Sequence, residues 1–153
     1  IIYKDCSNIV GSINVADCIP ICVYDFYNRN IALVHSGWRG TKEKIILKTI
    51  EMLENEGSSR NFFKFFLGPS IRSCCYEVEN FFSDQFESSV VFQRDGRYFI
   101  DLALQIKYDL EEAFIPVENI IIDDLCTYDN IYCHSFRRDH EKSGRMTMIA
   151  YRA

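Results

Sequence analysis

The chain has 153 residues, 48% of them hydrophobic and 14% aromatic, with a formal net charge of −5. That length fits one domain with a sizeable core, and the composition is that of a Phe- and Tyr-rich globular protein rather than a disordered one. The negative balance argues against broad binding to a nucleic-acid backbone. It leaves room for a local basic pocket holding one anion, and basic residues gather late, at Arg137, Arg138, Lys142, Arg145 and Arg152.

No apolar run approaches membrane-spanning length, and nothing reads as a signal peptide. Seven cysteines are present, an odd number that cannot pair fully within one chain. There is no C-x-x-C pair, which speaks against a zinc knuckle. The expectation is a reduced, cytoplasmic protein with no disulfide and with thiols that serve mostly as core fillers.

In chain order, residues 18–24 (CIPICVY) and 31–35 (IALVH) predict two buried strands joined as a hairpin across 25–30, with Pro20 at an edge or irregular point. Residues 41–56 predict the clearest helix. Thr41 is its expected cap, Ile45, Ile46, Thr49, Ile50 and Leu53 its inner face, and Gly57 its end. A strand over 62–67 stops at Gly68-Pro69. A helix over 77–87 is expected to turn Phe81, Phe82 and Phe86 inward. A short strand over 97–100, a helix over 102–114 and strands over 120–122, 131–135 and 145–151 complete the reading. Helices against partly hairpin-connected strands predict an α+β domain in layers with mixed sheets.

Four clusters can carry chemistry. The first is Ala16-Asp17-Cys18-Ile19-Pro20, and the second is His35-Ser36-Gly37-Trp38-Arg39-Gly40 before a helix. Cys18 and His35 fall on neighbouring strands of the hairpin, so their side chains can meet. A sulfur and an imidazole make a zinc-compatible ligand pair, and equally a nucleophile with its base. The residues alone leave both open. The third cluster is Gly68-Pro69-Ser70-Ile71 followed by Cys74-Cys75-Tyr76-Glu77-Val78, whose adjacent cysteines are expected to point apart. The fourth runs from Asp124-Leu125-Cys126-Thr127 through His134-Ser135-Phe136-Arg137-Arg138-Asp139 to Ser143-Gly144-Arg145. Arg137 and Arg138 there read either as a surface ion-pair network or as binders of a phosphate or carboxylate.

Taken together and in this order, V-A-D-C-I-P-I, H-S-G-W-R-G, G-P-S-I, C-C-Y-E-V, D-L-C-T, S-F-R-R-D and S-G-R resemble the laccase-domain family, also called polyphenol oxidase or peptidoglycan-editing proteins. The match runs from about Val15 to Arg145. The resemblance implies an α+β fold in an α/β/β/α arrangement with mixed sheets, shared with a deamidating toxin that uses a Cys–His pair. It implies one metal, zinc more than copper, held by a cysteine and two histidines, with Cys18 and His35 as two of the three ligands and as the catalytic centre.

The resemblance further implies a purine nucleoside phosphorylase that also deaminates adenosine and cleaves methylthioadenosine. Purine nucleosides and phosphate would then be its ligands, with Arg39, Arg137 and Arg138 as candidate substrate contacts. The alternatives are a metal-free Cys–His hydrolase acting on amide bonds or peptidoglycan precursors, and a copper-dependent polyphenol oxidase. The family's other histidine ligand belongs to a segment before the Asp-Cys motif, and neither His134 nor His140 matches it. The expectation is therefore a single laccase-like domain over 1–153 that is N-terminally incomplete.

Overall fold

The computed structural model describes residues 2–3 and 9–151; Cys6 and Arg152 lie outside them. The elements are β1 (Ile2–Tyr3), β2 (Val10–Val15), β3 (Ile19–Asp25), β4 (Ile31–Ser36), α1 (Trp38–Lys42), α2 (Ile45–Asn55), β5 (Phe63–Leu67), β6 (Glu77–Val78), α3 (Asn80–Ser83), β7 (Val91–Arg94), β8 (Arg97–Ile100), α4 (Leu102–Glu112), β9 (Ile120–Ile122), α5 (Phe136–Asp139) and β10 (Met146–Tyr151). They form an α+β fold with a mixed five-stranded sheet ordered β1-β4-β3-β5-β9, a β10-β2 ribbon and a small β6-β8-β7 sheet. Only the β5–β9 pair is parallel among these named strands. None of the described helices is long and apolar enough to cross a membrane.

The core lies between the five-stranded sheet and the helices α2 and α4. Ile19, Ile21 and Val23 of β3, Ala32 and Val34 of β4, and Phe63, Phe65 and Leu67 of β5 are buried by the period-2 alternation of strands. Ile46, Ile50 and Leu53 of α2 and Ile106 and Leu110 of α4 close over them at helical spacing. The ribbon covers part of the other face. Gly68 permits this approach, because a Cβ there would stand 3.0 Å from Pro20 Cγ and 3.1 Å from Met148 Cε.

The hairpin, α4, β5, β8, β9 and β10 stand where the sequence pattern puts them, within a residue or two, while α2 ends as expected but starts only at Ile45. Gly57 ends α2 as expected: it has φ +90°, and the Gly57 and Ser58 N–H groups return to the Glu54 and Leu53 carbonyls. Pro20 is the second residue of a central strand. Its missing N–H costs nothing there, because pairing with β5 begins only at Ile21 and Leu67.

Three expectations are corrected. Thr41 does not cap the long helix. Helical structure begins earlier, at Trp38; a left-handed Lys44 separates α1 from α2, and Thr41 is buried with its hydroxyl 3.0 Å from that of Ser36. The helix over 77–87 is replaced by β6, drawn into a sheet by β8, and by the single turn of α3. Phe82 and Phe86 pack on the core, but Phe81 is 66% exposed. No strand forms over 131–135, where Ile131 and Tyr132 are exposed. The polar-patterned β2 and the strand β7 were not expected at all.

The hairpin turn is held by Asp25, whose carboxylate accepts from the N–H groups of Tyr27 and Asn28, each at 3.0 Å, and from Asn28 Nδ2 at 2.9 Å. Burial alone would raise this carboxyl, but hydrogen bonds from Asn28, Ser58 and Tyr27 outweigh it and hold the pKa below the ordinary carboxylate value. Since the folded pKa is the lower one, this stabilisation is present above the unfolded value and is lost as pH falls through the folded value. Asp25→Asn should therefore lower the melting temperature at neutrality and flatten its fall from about pH 5 downwards, through the unfolded carboxyl value and below it. A variant whose acid limb runs parallel to the parent's would show that Asp25 contributes nothing there.

Candidate functional site

The separate motifs meet at Asp17. This residue has φ 72°, a left-handed conformation that Asp tolerates better than most side chains, and it interrupts the chain just before β3. Its buried carboxylate accepts from Thr127 Oγ1 at 2.7 Å, Ser135 Oγ at 3.1 Å and the Arg137 backbone N–H at 2.6 Å. Its carbonyl accepts from the Ile71 N–H at 3.0 Å. One residue thus ties the D-C-I-P segment to G-P-S-I, D-L-C-T and S-F-R-R. In the sequence Asp17 is marked only by its place before Cys18 in the first cluster.

Cys18 stands immediately before β3. Pro20 pairs with His35 and Ile19 with Ser36, and one step further Cys18 faces Gly37. A Cβ on Gly37 would lie 2.8 Å from Cys18 Sγ. Side chains alternate along a strand, so positions 35 and 37 share a face. Continued one step past the ladder, this register puts position 18 on the face that carries position 35. His35 is exposed and Cys18 half-buried. Burial and the charge of Asp17 raise the Cys18 thiol pKa, and the Arg145 guanidinium acts in the opposite direction.

A cavity of about 550 Å³ is lined by Trp38, Tyr76, Glu77, Phe82 and Arg137 among others. Trp38 meets Phe82 edge-on at 4.8 Å between centroids. Burial raises the Tyr76 phenol; Arg137 opposes this, and Cys18 and Asp17 add to it, so Tyr76 lies within electrostatic reach of the Cys18 corner.

The three arginines proposed from the sequence have different surroundings. Arg137 is exposed, its guanidinium 4.9 Å above the Tyr76 ring and donating to the Glu77 carbonyl at 2.7 Å, at the rim of the cavity. Arg39 lies over Trp38 at 4.5 Å. Arg138 points instead into its own loop. It donates to the carbonyls of Thr127, Tyr128, Asn130 and Cys133 and makes a two-point pair with Asp139. All five of its N–H groups are occupied, which braces the 127–133 loop.

Six cysteines are free thiols among the described residues. Three of them, Cys74, Cys75 and Cys126, bring their sulfurs within 4.8 Å of one another, an arrangement that can hold a metal ion. The expectation that Cys74 and Cys75 point apart is thereby corrected. Cys74 is exposed and Cys75 and Cys126 half-buried. Burial and the neighbouring thiols push Cys75 up to about 12. At Cys126 burial acts upwards too, but backbone N–H donors, led by Arg72 at 3.5 Å, outweigh it and lower the thiol.

With this geometry in view, residues 2–153 match the family model described as multi-copper polyphenol oxidoreductase laccase, and the chain belongs to that family. It is 38% identical to a purine nucleoside phosphorylase of Borreliella burgdorferi over 134 residues, covering 82% of this chain and 57% of the relative. It is 31% identical to adenosine deaminase RL5 of an unknown prokaryotic organism, covering 94% of this chain and 58% of that protein. Among solved structures it is similar to the hypothetical protein YfiH of Bacillus licheniformis, with a TM-score of 0.89 at 29% identity, over 97% of this chain and 60% of the other. The chain thus spans under two thirds of the length of each of these three.

Proposed function

We propose that the Cys18–His35 face and the aromatic cavity form part of a purine-nucleoside site in a cytoplasmic, zinc-dependent enzyme that performs phosphorolysis, including that of methylthioadenosine, and adenosine deamination. The observation that carries this is the convergence on Asp17. It gathers the cysteine corner, the aromatic cavity and an exposed guanidinium into one place. The names of the Borreliella and RL5 relatives support the same reading of substrate and reaction. Free thiols at the described cysteines fit a reducing compartment.

The donor set fits zinc. A sulfur and an imidazole on one face are borderline-soft ligands of the kind zinc selects, and Gly37 leaves the sulfur the space it occupies. When bound, zinc would supply an acidified water or a Lewis acid for polarising the substrate. The rest falls to this chain. Trp38 and Phe82 offer an apolar, aromatic wall to the flat purine. Arg137, propped on Tyr76 and anchored to the Glu77 carbonyl, turns remaining N–H groups towards a phosphate. Arg39 lies over the Trp38 ring and adds positive charge next to this wall. Asp17 fixes the backbone that carries Arg137 and, through its own position in the chain, the direction of Cys18.

A free-thiol hydrolase would need Cys18 ionised near neutral pH, which its burial and Asp17 oppose. The test is Cys18→Ala in the whole protein. Zinc content and phosphate-dependent release of base from inosine and adenosine should fall together, each by about a hundredfold or more. Retention of normal zinc and turnover would remove Cys18 from the site. A thioester trapped on Cys18 in the metal-free parent would establish the hydrolase instead.

A further inference from the structure

We propose that Cys74, Cys75 and Cys126 form a second metal site, separate from Cys18 and His35, that takes the thiophilic cation Cu(I) in three-coordinate thiolate ligation. The three sulfurs lie within 4.8 Å of one another although Cys126 is remote in sequence from the other two. A metal about 2.3 Å from each of three sulfurs needs them about 4 Å apart, so closing the site requires sub-ångström adjustments of flexible side chains.

Core filling does not account for the cluster, because Cys74 is exposed and gives an ion its route in. The surroundings suit a thiolate. The Arg72 backbone N–H points at Cys126 Sγ from 3.5 Å, and backbone N–H groups of Tyr128 and Asp129 address the same sulfur. Among the described residues the group holds no histidine or carboxylate. Zinc structural sites close with four protein donors. Three soft sulfurs, with no fourth protein donor in the group among the described residues, match Cu(I), which is satisfied by three. Occupation would tie the 72–76 turn to the loop after β9, two segments already joined by the bridge between Ser70 and Cys126.

The test is anaerobic titration of the reduced protein with Cu(I) against a chromophoric Cu(I) chelator, followed by X-ray absorption of the loaded protein. The expected result is one equivalent withdrawn from the chelator, with copper surrounded by three sulfurs at one distance and no nitrogen. Cys74→Ser, at an exposed position, should weaken retention about a hundredfold or more, whereas Cys18→Ser should leave it unchanged. A mixed sulfur and nitrogen shell, or loss on Cys18→Ser, would place the copper at the other site and overturn the proposal. So would failure to compete with the chelator, zinc binding at the cluster in preference to Cu(I), or recovery of the cluster only as a Cys74–Cys126 disulfide. None of these readouts depends on nucleoside turnover, so this proposal and the one for Cys18 and His35 fail separately.

Discussion

Replacing Asp17 with Ala should destabilise the fold by about 3–5 kcal/mol, against about 1 kcal/mol for Asp17→Asn. The carboxylate is buried and serves three donors, and each one stranded without an acceptor costs about 1–3 kcal/mol where water cannot replace it. Thr127 and Ser135 are also buried, while the Arg137 N–H has partial access to solvent, which keeps the total below the simple sum. Alanine also pays for the left-handed backbone, by roughly 1 kcal/mol, and asparagine does not. An Asn oxygen at the Oδ2 position can still accept from Arg137 and Ser135, and the Thr127 hydroxyl can reorient to accept from the amide. Urea unfolding of the three proteins would measure this. Equal losses for Ala and Asn would mean that charge, rather than hydrogen bonding, holds the four segments together.

This pair of variants also bears on why the site was only half legible. Short-range patterns were readable. The apolar runs on either side of the 25–30 turn, the helical spacing of Ile46, Ile50 and Leu53, and the isoleucines of β9 predicted elements that are present. So was the pairing that sets Cys18 beside the His35 strand. What escaped reading depends on side chains far apart in sequence. Residues 131–135 have a strand's composition, but Arg138 takes the carbonyls of Asn130 and Cys133 that a neighbouring strand would need. Residues 77–87 have a helix's composition, but pairing of Glu77 with Phe99 and Val78 with Tyr98 commits their start to a sheet. The role of Asp17 and the meeting of Cys126 with Cys74 and Cys75 are likewise products of chain folding, and neither spacing nor residue type announces them.

Gly37→Ala tests the cysteine corner most directly, because the backbone there makes no demand for glycine. Gly37 has φ −91° and ψ −173°, extended values open to any residue, so alanine meets no conformational penalty. The only obstruction is Cys18 Sγ, 2.8 Å from the new Cβ, with Cys18 Cβ next at an unstrained 3.9 Å. The sulfur must therefore swing to another rotamer, away from the His35 face, or push the hairpin apart. Overpacking of this kind costs about 1–3 kcal/mol. Zinc affinity at the proposed site should fall about a hundredfold or more, because one ligand no longer points at it. The decisive comparison is the same substitution in a Cys18→Ala background, where the offending atom is gone. There Gly37→Ala should cost close to nothing in thermal or urea unfolding, giving a coupling of about 1–3 kcal/mol between the two positions. If the cost is the same in both backgrounds, the sulfur is not what makes position 37 a glycine, and the packing that aims Cys18 along the hairpin has been misread.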